Sequence, residues 1–156
     1  MPLIALAKIK QRRLQRAERE ARSQLALLQA AEQAEAKAVD AHLAFQRGSR
    51  EEQQRLFATH VGQLIDCRAL EHWRQQVALL GEREASLHGQ VVACEEALAR
   101  RHTAHQQAQA QLAQTRQKRD SFVQLRDEAH QRATWLVEYR QEQELEEHCL
   151  HGGLQP

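Results

Sequence analysis

Nine histidines and three cysteines are the residues of this 156-residue chain best suited to holding a metal or moving a proton. Their spacing decides against it. His102 and His105 share a helix face, and His148, Cys149 and His151 cluster near the C-terminal end. Neither group supplies the paired, four-ligand spacing of a structural zinc site, so solvated helix residues are the plainer reading. Glu95-Glu96 and Glu146-Glu147 are adjacent pairs. Neighbouring residues of a helix point to different faces, so neither pair can flank one bond as acid and base. No GxxxxGK[ST] or GxGxxG loop is present to cradle a phosphate. Trp73 and Phe122 fall at core spacing and read as packing rather than ligand stacking. The expectation is no catalytic, cofactor-binding or metal-binding residue, no cofactor, and no enzyme.

Charge is the remaining chemistry. The net charge of +1 conceals strong segregation. Residues 1 to 22 carry Lys8, Lys10, Arg12, Arg13, Arg16, Arg19 and Arg22 against Glu18 and Glu20. Residues 97 to 119 carry Arg100, Arg101, Arg116, Lys118 and Arg119 and no acid. Beyond them, Asp120, Asp127, Glu128, Glu138, Glu142, Glu144, Glu146 and Glu147 outnumber Arg126, Arg132 and Arg140. If the two basic stretches face one another, Lys8, Arg12, Arg13, Arg16, Arg19, Arg116, Lys118 and Arg119 form one surface suited to an acidic or polar partner. A solvated face is the bland alternative, and nucleic acid is disfavoured because the patch is poor in aromatics and lies beside an acidic segment.

The elements that position this charge follow from periodicity. From Leu70 onward, large apolar residues fall into two columns three and four residues apart: Leu70, Val77, Glu84, Val91, Leu98, His105, Leu112, Arg119, and Trp73, Leu80, Leu87, Cys94, Arg101, Ala108, Thr115, Phe122. A 3.5-residue repeat kept this long places a narrow stripe along a gently supercoiled helix. About 80 helical residues at 1.5 Å each span roughly 120 Å, too long for a compact domain. A looser, Ala-rich stripe runs from Leu3 through Leu14, Ala21 and Leu28 to Phe45. Prolines stand only at positions 2 and 156, and aromatics make up 4%, which suits coiled coil and not a three-dimensional core.

Gly62 and Asp66 mark the break between the stripes, as a left-handed helix terminator and a helix N-cap. The reading is all-α: a single, long, two-helix antiparallel coiled-coil hairpin over residues 1–156. Helix 1 covers about 3–58, the turn about 59–66, helix 2 about 67–148, and a disordered tail 149–156. Gly48 allows a local bend. Partner positions should sum to about 125, leaving roughly 25 residues of helix 2 projecting past helix 1. The seam is apolar from Leu70 to Leu98 and polar from Arg101 to Arg126, so the half near the turn should be firm and the half near the termini marginal. No apolar run is long enough to span a bilayer, and three widely spaced cysteines without CxxC suit a reducing compartment. A cytoplasmic monomer without membrane insertion is expected.

Flanking the turn is a more specific stretch. Phe45 to Phe57 ends in Glu51, Glu52, Arg55, Leu56 and Phe57 as an EExxRLF run. Gln75-Gln76-Val77-Ala78-Leu79-Leu80-Gly81-Glu82-Arg83-Glu84 follows it. This arrangement resembles the YscO family of type III secretion systems, with Gln46 standing where that family tends to carry a bulky aromatic. The family is similar to flagellar FliJ and, more distantly, to the coiled coil of the rotary ATPase γ subunit. The resemblance implies a non-enzymatic cytoplasmic central stalk at the cytoplasmic face of the inner-membrane secretion apparatus. It would insert a coiled coil into the hexameric secretion ATPase, contact the export gate protein and handle chaperones of secreted proteins. A general scaffold that dimerises through the exposed stripe of helix 2 is the competing expectation.

Overall fold

Residues 2–153 are described by a computed structural model. Two helices account for nearly all of them: α1, Pro2–His60, and α2, Cys67–Gly152, with no strand among the described residues. They form the two-helix hairpin expected. Pro2 occupies the first helical position, where its missing N–H is not needed, and α1 then runs unbroken through Gly48. Gly62 closes the end of α1 with φ 78°, a left-handed conformation that a Cβ would strain. Asp66 starts α2: its Oδ1 accepts from the Ala69 N–H at 2.7 Å, and its carbonyl accepts from Leu70 N. Such a cap contributes about 1 kcal/mol.

Two limits differ from expectation. α2 continues through His148, Cys149, Leu150 and His151 and ends only at the Gly152-Gly153 pair, so residues 149 to 152 are helix and not a disordered tail. Nothing in those four side chains opposes helix, whereas two glycines in succession do. The remaining tail, 154–156, lies outside the described residues, as does Met1. α1 also holds two residues longer than expected, to His60.

Contacts divide the chain into two compact units. The first comprises Met1–Glu20 with Gln109–Pro156, and the second Ala21–Ala108. In the second, the seam buries Ala21, Leu28, Leu87, Val91 and Ala108, together with the small polar Ser49. Gln46 Nε2 donates to Glu84 Oε1 at 2.9 Å across it, and the His42 and His88 rings lie 5.5 Å apart. Both pairs sum to 130, not about 125. In the first unit the seam buries Leu14 and Leu112, 4% and 7% exposed.

The terminal half of the seam is therefore not the looser one. Leu112 is as well covered as Leu87, at 9%, while Leu80 near the turn is only half-buried. Polar residues share this half of the seam without opening it. Thr115 Oγ1 donates to its own helix at Gln111 O, 2.8 Å away, and Arg119 Nε reaches Asp120 at 2.7 Å. Lys10 lays its ammonium 5.8 Å from the Phe122 ring centroid.

Candidate functional site

The basic surface lies wholly within the first unit, and the structure sorts its eight residues. Lys8, Arg12, Arg16 and Arg19 follow three- and four-residue steps along α1, on the side turned away from Leu14 and Ala17, and all four are exposed. Arg13 and Arg16 meet Lys118 around a groove of about 340 Å³ that also includes Lys10 and Thr115. Lys8 and Arg119 meet around another, of about 370 Å³, whose floor is Leu3, Ile4, Phe122 and Val123. Arg12 and Arg19 line neither and face solvent.

The opposed like charges are partly relieved. Arg116 Nη2 approaches Glu18 Oε1 at 3.8 Å, a loose and half-exposed pair, and Arg119 Nε lies 2.7 Å from Asp120 Oδ1 without the geometry of a hydrogen bond. Both contacts are largely solvated and contribute little to stability. The rest is a cationic surface with no deep anchor.

The motif residues at the turn divide by role. Glu52 and Leu56 face the seam, Glu51 is exposed, and Arg55 reaches Glu52 at 2.6 Å within its own helix. Gln46, at the position where an aromatic was expected, carries the hydrogen bond to Glu84 from the second motif run. Phe57 is 64% exposed and lines an apolar cup of about 330 Å³ with His60, Val61, Ile65, Ala69, Leu70 and Trp73. The indole Nε1 of Trp73 is buried there without an acceptor. Sequence reasoning missed this cup. Its signal was present in Val61 and Ile65, two large apolar residues in a turn where polar residues are usual.

From Ala129 to Gly153 every residue is exposed, so this end of α2 has no partner within its unit. Trp135, Leu136, Val137, Tyr139, Leu145 and Leu150 are all at least two-fifths exposed, and the Trp135 and Tyr139 rings stack at 5.4 Å. Among the described residues, no group of three or more His, Cys, Asp or Glu stands close enough to hold a metal. No helix of the described residues is long and apolar enough to cross a membrane.

Compared with known families, residues 3–151 match the model of the type III secretion protein YscO. The chain belongs to the YscO family. A crystal structure of the type III secretion protein YscO from Vibrio parahaemolyticus superposes with a TM-score of 0.82 at 29% identity, covering 93% of this chain and 91% of that one. The Yop proteins translocation protein O of Yersinia pseudotuberculosis serotype I (strain IP32953) is 32% identical over 120 residues, 77% of this chain and 78% of that protein. The YscO match therefore takes in both helices, the motif runs at the turn, the basic stretch of α1 and the exposed end of α2. It makes the chain a type III secretion protein.

Proposed function

We propose that this YscO-family chain is a non-enzymatic central stalk and adaptor of a type III secretion system. The hairpin inserts into the hexameric secretion ATPase, links it to the export gate and handles chaperones of secreted proteins. It works as a monomer at the cytoplasmic face of the inner membrane. The observation that carries the reading is the exposed ridge of Lys8, Arg12, Arg16 and Arg19, flanked by grooves that add Arg13, Lys118 and Arg119. A cationic surface without a deep pocket suits a partner that must be guided and oriented but not gripped, because electrostatic complementarity acts on encounter and register more than on lifetime. A nucleic acid fits less well. Phe122, which lines one of the grooves, has Lys10 over its ring, and the patch offers no row of aromatics on which successive bases could stack.

The test is co-purification of the intact chain with the secretion ATPase, followed by ATP turnover with and without it. Stimulation that weakens as salt rises from about 0.05 to about 0.5 M supports the reading. A chain that neither binds nor stimulates the ATPase, or that binds duplex DNA with a steep salt slope, overturns it.

A further inference from the structure

Within the second unit, the two helices bring a pair of imidazoles together. His42 is half-buried on α1, and His88 is exposed at the edge of the seam on α2. Their ring centroids lie 5.5 Å apart, with the planes inclined at 45°. Neither ring has a hydrogen-bond partner among the described residues, so the ring nitrogens are uncommitted. The framework around them is firm. Leu87 and Val91, one position before His88 and three after it, are buried in the seam. Gln46 donates to Glu84 about one helical turn nearer the loop.

The separation is that of two imidazoles sharing one metal ion. A zinc ion lies about 2.0 Å from a ligating imidazole nitrogen, and so about 3.2 Å from the ring centre. Two such rings, about 109° to 120° apart at the metal, have centres about 5.2 to 5.5 Å apart. Ring packing alone would be served by any flat side chain, whereas imidazole adds a nitrogen donor on each helix.

We infer that His42 and His88 form a two-histidine site that takes one divalent transition-metal ion and clips α1 to α2. Imidazole suits zinc, nickel and copper, and not the calcium or magnesium that oxygen ligands hold. Glu84 stands four residues before His88 on the same helix face, but Gln46 engages it. No third His, Cys, Asp or Glu completes a set among the described residues. The other coordination positions are left to water, so the site is weaker than a four-ligand structural one. Spacing along the chain hides it, because the two ligands sit on different helices and meet only through the pairing of α1 with α2. An ion held by both helices binds the hairpin and not the unfolded chain, so metal supply sets how firmly the helices hold at this height. This goes beyond the stalk reading and does not depend on it.

The experiment titrates zinc into the intact chain with its cysteines kept reduced. Calorimetry reads affinity, and thermal melts read stability. The comparison is with His42→Phe and His88→Phe, each of which keeps a flat ring at the contact and removes one ligand. Far-ultraviolet circular dichroism checks that both stay helical. Zinc at about ten times its dissociation constant should raise the wild-type unfolding midpoint by about 3 °C or more. Each variant should lose that rise and bind zinc at least about tenfold more weakly. In the wild-type chain, the ring signals of His42 and His88 in nuclear magnetic resonance should shift together over the first equivalent, a readout that needs no variant to fold. A midpoint that zinc leaves unchanged overturns the inference. So does a rise that survives in either variant, or a first equivalent that moves neither ring, both of which place the metal on other residues such as His148, Cys149 and His151.

Discussion

Leu14 and Leu112 are the best-buried side chains of the first unit, although their column neighbours include Arg119 and Thr115. Burial, and not the polarity of neighbours in the repeat, sets the cost of removing a leucine. Leu112→Ala should therefore destabilise by about 2 to 5 kcal/mol, as much as Leu87→Ala and more than Leu80→Ala. Urea unfolding of the three variants decides this, and a much smaller loss at Leu112 would restore the picture of a loose terminal half. At the turn, Gly62→Ala must place a Cβ at φ 78° and should cost about 1 kcal/mol. Asp66→Ala should cost a similar amount through the lost bond to Ala69 N–H. Thermal melts that leave both unchanged would show that the turn frays before the hairpin unfolds. Gly62 and Asp66 were legible in the sequence because their roles are local. The burial of Leu112 was not, because a repeat of residue types does not say how closely each position is covered.

At the scale of the helix, the two columns of α2 proved to be the covered face. Trp73 through Leu98, and His105 through Phe122, are all at least half-buried apart from Arg101. Leu70 and everything in the columns from Arg126 onward are exposed. A 3.5-residue period specifies the face without saying where the partner helix stops. The pairing itself is shifted by about five positions from the expected one, since Gln46 meets Glu84 and His42 meets His88. Registers are set by turn geometry, which is the weakest part of a sequence reading. The end of α2 was misjudged for a similar reason: His148 to His151 carry no strong helix signal, and only the following glycines decide the boundary. Gly89 is exposed within α2, and a Cβ there meets nothing within 4 Å. Gly89→Ala should stabilise by about 0.5 to 1 kcal/mol, seen as a raised unfolding midpoint. A lowered midpoint would mean that Gly89 serves a bend or a partner.

For the whole molecule, family membership and the distribution of charge are the two facts from which a function is argued. The basic residues were legible as types, and the structure adds their grouping: an outer ridge on α1, two grooves, and pairs that occupy Arg116 and Arg119. The apolar cup at the turn offers a second surface, with Phe57 and Trp73 at its wall. These two surfaces make opposite forecasts for the secretion ATPase. The direct measurement compares ATP turnover by the hexamer with the wild-type chain, with Arg12→Gln/Arg13→Gln/Arg16→Gln/Arg19→Gln, and with Phe57→Ser. The four arginines are exposed, so the quadruple variant should keep its helicity and unfold at the same temperature or slightly higher, like charges having been removed. The account predicts that this variant loses most of its stimulation at physiological salt while Phe57→Ser keeps it. Full stimulation by the quadruple variant, with loss in Phe57→Ser, would contradict it and place the ATPase contact at the turn.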